Sequence, residues 1–361
     1  TPAASAAEVA AFGRENGFPL LLKAAAGGGG KGMRVVRAES EVPEAFARTR
    51  SEAKSYFADD RVYAELFVES PRHIEVQVLG DATGRVLAIG ERECSLQRRH
   101  QKVLEECPSA AVSPDLRARM EAVAVAAAKA VDYVSAGTVE FLLAKDGRFF
   151  FLEMNTRIQV EHPVTEVVYG IDLVAEMIRI ARGEPMSFRE KPAARGHAIE
   201  CRVYAEDPGR AFAPSPGRIT ALRWPGGPGI RVDAGLTAGD VVPLDYDPMV
   251  AKITAWGVDR DQARRRMLRA LAETRIQGIQ TSVPFFVSLL GDPRLIVNDV
   301  STQFLDTYRY EPPAAEEGLR ELALAAAVLE ALEETKGVRP QTRGAAPSPW
   351  RTVRPTHGAR S

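Results

Sequence analysis

Residues 136–155, AGTVEFLLAKDGRFFFLEMN, limit the fold more than any other stretch of this chain. Two apolar, aromatic-rich runs flank Lys145-Asp146-Gly147, and Asp-Gly supplies the two positive-φ residues of a tight hairpin turn. With Asp146 and Gly147 as a two-residue loop, Lys145 pairs with Arg148, and counting back sets Glu140 directly opposite Glu153. Two carboxylates facing each other across a ladder repel. A hard cation held between the oxygens removes that cost, and Mg²⁺ suits such ligands. Side chains on one strand face recur every second residue. If the chain stays extended, Asn155, Arg157, Gln159 and Glu161 therefore project from the same face as Glu153. The result is a metal-type end (Glu140, Glu153, Asn155), an anion-type end (Arg157, Gln159) and a base, Glu161. Alternation alone also fits a solvated sheet face; the like-charged pair weighs against that.

The 361 residues suffice for two or three domains with ample core. A formal net charge of −1 argues against general binding to nucleic acid or a membrane surface, so an anionic substrate must meet a local basic cluster. Cys94, Cys107 and Cys201 have neither zinc nor CxxC spacing and fit reduced thiols of a cytosolic or organelle-matrix protein. No apolar run is long enough to span a bilayer. Thr1 begins no signal or transit peptide, and the start reads as a cut.

Along the chain, residues 5–16 read as an amphipathic helix stopped at Gly17, followed by a buried strand, 18–23, that ends in Lys23. Gly27, Gly28, Gly29, Gly30 and Gly32 form a loop whose bare N–H groups can approach phosphate oxygens, or simply a flexible turn. It is not a Walker A loop: Lys31 precedes Gly32 rather than Ser or Thr, and Met33–Arg37 reads as strand. A strand–glycine loop–strand hairpin of this kind can act as a flap over a nucleotide. A helix over 41–54 leads to a strand over 61–68, where Glu65 can accept from an adenine amino group or stand as an exposed carboxylate. Residues 71–80 alternate as a strand that pairs with GRVLAIGERECS. Over 95–108, Arg98, Arg99, His100 and Lys102 crowd together, as a solvated face or as the counter-charge for a polyphosphate. Helices follow over 113–132, capped by Ser113, and over 172–182. A strand over 196–207 carries Arg202, and further strands precede a basic-faced helix over 259–274. An Ala/Leu helix over 314–334 reads as a packing helix, and a Pro/Arg-rich linker closes the chain.

Taken together, KAAAGGGGKGMR, ERECSLQRRHQK, EMNTRIQVEHPVTE and GHAIECRVYAED make the chain resemble the biotin carboxylases over roughly residues 1–312. These are ATP-grasp ligases of acyl-CoA, pyruvate and urea carboxylases. The resemblance implies an α+β protein: an ATP-grasp fold followed by the biotin carboxylase C-terminal domain, with the N-terminal pre-ATP-grasp domain missing. It places a lid subdomain at 1–67, a catalytic subdomain at 68–190, the C-terminal domain at 191–312, and a helix and linker at 313–361.

The resemblance also assigns site residues. ATP would be held by Lys23, the flap Gly27–Gly30 with Gly32, Glu65, Leu66, His73, Gln97, His100, Leu142, Glu140 and Glu153. Mg²⁺ or Mn²⁺ would sit on Glu140 and Glu153 beside Asn155. Bicarbonate would meet Arg157, Gln159, the Val160 backbone and Lys102. Glu161 would be the base, and Arg202 would stabilise the biotin enolate. Implied partners are a biotin carboxyl carrier domain and a carboxyltransferase subunit, in a homo-oligomeric parent of the bacterial cytoplasm or mitochondrial matrix. Two other readings stay open: a carbamoyl-phosphate-type ATP-grasp ligase, and a non-catalytic nucleotide-binding fragment.

Overall fold

The structure, a computed structural model, describes residues 2–26, 32–312 and 319–335. Two compact units divide at Pro312/Pro313. Within the first, α1 (Ala6–Asn16) starts where the Ser5 hydroxyl accepts from the Glu8 N–H, and it ends at Gly17, whose φ of +94° suits only glycine well. Strand β1 (Leu20–Ala24) then lies at the centre of a three-stranded antiparallel sheet, between β2 (Met33–Val36) and β3 (Val62–Leu66). Leu20, Leu22, Val36 and Val62 bury one face of this sheet against α1 and α2 (Val42–Phe57). The strands expected on either side of the glycine loop are present and paired. Residues 27–31, which include Gly27–Gly30, lie outside the described residues. Gly32 is described, with φ +69° and room for a Cβ only at 3.0 Å from the Ala24 Cβ.

Among the described residues the largest element is an eight-stranded antiparallel sheet. Six of its strands are β4 (Arg72–Gly80), β5 (Val86–Arg98), β6 (Gln101–Cys107), β7 (Ser135–Leu143), β8 (Phe149–Asn155) and β9 (His197–Tyr204). From one edge the order is Ile230–Ala234, Met249–Gly257, β9, β6, β5, β4, β7, β8. The pairing of β6 with β9 makes the sheet continuous from the N-terminal half into the C-terminal half. Alternation decides what each face does. Ile74, Val76, Val78, Val139 and Phe141 point to α3 (Pro114–Lys129) and form an apolar core with Met120 and Ala124. His73, Glu75, Gln77, Thr138 and Glu140 lie on the other face, and all of them are buried. Above that face sits α4 (His162–Tyr169), followed by α5 (Leu173–Ala181). Helices α6 (Arg260–Glu273) and α7 (Val283–Leu290) close a third core against β9 and the Met249–Gly257 strand.

The hairpin differs from the sequence count in an instructive way. Its loop has three residues, not two: the Ala144 N–H donates to the Arg148 carbonyl, and Gly147 takes φ +82°. Leu143 therefore pairs with Phe149 and Phe141 with Phe151, one residue off the expected register. A bulge at Leu152 restores it, so Glu140 does face Glu153 and Thr138 faces Asn155. The chain does not stay extended afterwards; β8 ends at Asn155 and α4 begins at His162. In the second unit, Leu319–Thr335 is helical, and residues 314–318 and the Pro/Arg-rich tail lie outside the described residues.

Candidate active site

Lys102 is placed by a sharp reversal. Arg98 pairs with Gln101 across Arg99 and His100, both at positive φ (+52° and +66°), so β6 returns directly along β5. That turn splits the cationic run. The Arg98 guanidinium stacks 4.2 Å from the Phe212 ring centroid and pairs with Glu206, while Arg99 and His100 are exposed. Lys102 alone turns inward. Its Nζ donates to Glu140 Oε1 at 2.9 Å, to Glu161 Oε1 at 2.7 Å and to Glu75 Oε2. Burial works against this charge, but Glu75, Glu161 and Glu140 outweigh it and raise the ammonium pKa well above its ordinary value.

Three donors converge on Glu140 Oε1: Lys102 Nζ, Gln159 Nε2 at 2.9 Å and Asn155 Nδ2 at 3.1 Å. Burial tends to raise the Glu140 carboxyl, yet His73 and Lys102 hold it down at about 2. The second oxygen of Glu140 faces His73 Nε2 at 3.2 Å. The Asn155 amide also reaches Glu153 Oε1 at 3.3 Å and so bridges the opposed carboxylates. Its Oδ1 accepts from Arg157 Nη2 at 3.1 Å. Hard oxygen donors on two directly opposed residues, with Glu153 exposed, fit a hard divalent cation.

Glu161 stands at the N-cap position of α4, but its carboxylate leaves the helix uncapped. It spans two cations instead, accepting from Lys102 through Oε1 and from Arg202 Nη2 through Oε2 at 2.9 Å. Arg202 is held from behind by Glu105, whose Oε1 accepts from Nε at 2.6 Å. The Val160 carbonyl accepts from Lys252 Nζ, which ties the 156–161 loop to the C-terminal half. The expected residues Lys102, Glu140, Glu153, Asn155, Arg157, Gln159, Glu161, Arg202 and His73 therefore share one site, although a turn rather than a strand delivers Gln159 and Glu161.

Others stand elsewhere. Lys23 and Glu65 lie on the three-stranded sheet and pair with each other at 2.5 Å, with Leu66 at the end of the same strand. Gln97 donates to the Cys94 carbonyl at 3.0 Å, and Leu142 lies opposite His73 across β4 and β7.

Sequence reasoning missed Glu75, Arg92, Glu105 and Lys252. The signal for Glu75 was visible: HIEVQV alternates, and its polar members His73, Glu75 and Gln77 read as a wet face. Only the layer formed by α4 and the 156–161 loop makes that face an interior.

A small three-stranded sheet, a long antiparallel sheet and an acid–amide–guanidinium centre define an ATP-grasp architecture. A family model for the ATP-binding domain of the carbamoyl-phosphate synthase L chain matches residues 1–189, and one for the biotin carboxylase C-terminal domain matches residues 200–307. A pyruvate carboxylase subunit of Methanothermobacter thermautotrophicus is 50% identical over 303 residues, which cover 84% of this chain and 62% of that relative. The biotin carboxylase of Campylobacter jejuni, solved as a β-γ-ATP complex, is 44% identical with a TM-score of 0.77, over 85% of this chain and 69% of that one. The biotin carboxylase domain of Hydrogenobacter thermophilus 2-oxoglutarate carboxylase, solved with MgADP, ADP and bicarbonate, is 41% identical with a TM-score of 0.75, over 84% and 68%. The chain belongs to the biotin carboxylase family, and it spans less than two thirds of the length of the Methanothermobacter relative.

Proposed function

We propose that the chain carries the biotin carboxylase reaction: ATP-dependent carboxylation of carrier-linked biotin by bicarbonate, the first half-reaction of a biotin-dependent carboxylase. The observation that carries this reading is the Glu161 carboxylate bridging Lys102 and Arg202. A carbamoyl-phosphate-type ligase is disfavoured by the C-terminal family match, which includes Arg202.

Glu161 removes the proton of bicarbonate, whose oxygen attacks the γ-phosphorus of ATP while the bond to the β-phosphate oxygen breaks and ADP leaves. Lys102 faces the transferring phosphoryl group. Arg157 and Gln159 hold the bicarbonate oxygens, and catalysis is mainly positioning and charge stabilisation. Glu140 and Glu153 would hold Mg²⁺, which when bound neutralises phosphate charge. Carboxyphosphate breaks into CO₂ and phosphate, the phosphate takes the proton from a ureido nitrogen of biotin, and that nitrogen attacks CO₂. Arg202, permanently charged, holds the ureido oxygen meanwhile. From the three-stranded sheet Lys23 takes a phosphate and Glu65 and Leu66 face the adenine, while Leu142, His73, Gln97 and His100 contact the nucleotide from the large sheet. The partners are a biotin carboxyl carrier domain and a carboxyltransferase subunit.

The test is ADP release with Mg²⁺ and bicarbonate, with and without free biotin. Bicarbonate-dependent turnover stimulated by biotin is the expected result. ATP hydrolysis indifferent to both would sink the reading.

A further inference from the structure

The centre of the buried polar face is Arg92, a side chain with no exposed surface that none of the steps above uses. A guanidinium has five N–H donors in a fixed fork. Here each has its own acceptor. Nε donates to Glu75 Oε1. Nη1 donates to Gln77 Oε1 at 2.7 Å and Thr165 Oγ1 at 3.0 Å, and Nη2 to Thr138 Oγ1 at 3.1 Å and Gln159 Oε1 at 2.9 Å. These acceptors come from β4, β7, the 156–161 loop and α4, so one side chain fixes the layers against one another.

The fork also fixes polarity. Arg92 can donate but never accept, so the end of the Gln159 amide turned toward it must be the oxygen. The amide nitrogen is thereby forced onto Glu140 Oε1, at 2.9 Å. The same logic turns Glu75: one oxygen serves Arg92, and the other is left to hold Lys102. We infer that Arg92 is a positioning residue for the anion-binding half of the site, setting the orientation of the Gln159 amide and, through it, affinity for bicarbonate rather than for ATP. This rests on the proposed reaction.

Lysine at this position keeps the charge but lacks the fork. It can serve Glu75, yet a single ammonium cannot also reach Thr138, Thr165 and Gln159 with defined directions. The measurement is bicarbonate-dependent ADP release by the full chain, giving KM for bicarbonate and KM for ATP separately. Four proteins are compared: wild type, Arg92→Lys, Gln159→Ala and the double variant. Loss of a hydrogen bond to a charged donor predicts a rise of about tenfold or more in KM for bicarbonate in Arg92→Lys, with KM for ATP within about twofold. In the Gln159→Ala background, Arg92→Lys should add less than about twofold, because the residue through which it acts is gone. Additive effects, or equal rises in both KM values, would show a general structural role and overturn the inference.

Thr138→Val keeps the shape while freeing one Nη2 hydrogen, and it covers the case in which Arg92→Lys does not fold. It should raise KM for bicarbonate about two- to fivefold and leave KM for ATP unchanged; no change in either overturns the inference. A wild-type chain without bicarbonate dependence overturns the proposed function itself, and this inference with it. Wild-type dependence with unsplit KM values overturns the inference alone.

Discussion

The two sheets of the first unit carry charge in opposite ways. On the three-stranded sheet, Lys23 and Glu65 pair with 20% and 45% of their side chains exposed, and nearby pairs such as Arg37–Glu69 and Arg50–Asp60 are more exposed still. On the eight-stranded sheet, Glu75 and Arg92 are wholly buried, and Lys102 touches three carboxylates at once. A surface pair is worth about 0–1 kcal/mol and exchanges readily for another partner. A buried network cannot release one member without leaving the others uncompensated. The small sheet therefore carries charges that can be handed to a ligand. The large sheet carries charges already aimed before a ligand arrives, which is how electrostatic catalysis avoids reorganisation at the moment of reaction.

Removing Lys102 should break the network most severely. Lys102→Met leaves Glu75, Glu140 and Glu161 facing one another without their shared cation. A stability loss of about 3–5 kcal/mol is expected from urea denaturation. Bicarbonate-dependent ADP release should fall by about 10³-fold or more. A variant that keeps its stability would mean that the buried charges do not depend on one another.

Arg202→Ala tests the far end of the same network. Burial, opposed by Arg202 but reinforced by Glu161, pushes the Glu105 carboxyl up, so without Arg202 this group takes a proton rather than remain buried and charged. The fold should survive for that reason. Biotin-stimulated turnover should drop by about 100-fold, and bicarbonate-dependent ATP turnover without biotin by less than about tenfold. Equal loss of both would count against the role given to Arg202.

Acid separates the sheets next. Glu106 joins His197 and Arg260, and Arg260 also holds the carbonyls of Leu295 and Ile296. Burial raises this carboxyl, but hydrogen bonds from His197 and Arg260 bring it from 4.5 down to about 2. A depressed carboxylate stabilises the fold above its unfolded pKa and loses that contribution as pH falls through the folded value. About 3 kcal/mol should therefore disappear between roughly pH 4.5 and 2. Trp224 and Trp256 lie in this half, so tryptophan fluorescence reports the transition. In Glu106→Gln the acid slope should flatten; an unchanged slope would place the linkage elsewhere.

What the sequence revealed follows from how locally each feature is determined. Ser5, Ser113, Asp172 and Asp259 mark helix starts because a cap is settled within three residues, and each does cap. The opposition of Glu140 and Glu153 emerged correctly although the turn has three residues, because the bulge at Leu152 compensates for the extra one. A bulge leaves almost no trace in a run as uniformly apolar as FFFL. Arg92 was illegible for a different reason: in ERECS it is one charge among several. Its importance comes from acceptors 15 to 73 residues away, which only the closed fold assembles. The glycine loop was visible as composition, and the strands read on either side of it are present and pair as a hairpin requires.

The smaller sheet should respond far less to substitution. Gly32→Ala forces an alanine to φ +69° with its Cβ 3.0 Å from that of Ala24, which should cost about 1–2 kcal/mol in urea denaturation. Lys23→Met should cost less than about 1 kcal/mol, because it removes only a half-exposed pair with Glu65. Its effect should appear in nucleotide affinity instead. Glu65 and a phosphate compete for the same ammonium, so losing the lysine should raise KM for ATP about tenfold while leaving KM for bicarbonate unchanged. If Lys23→Met instead destabilised the protein as Lys102→Met should, the pair would be structural, and the flap sheet would not be the part of the molecule that yields to the nucleotide.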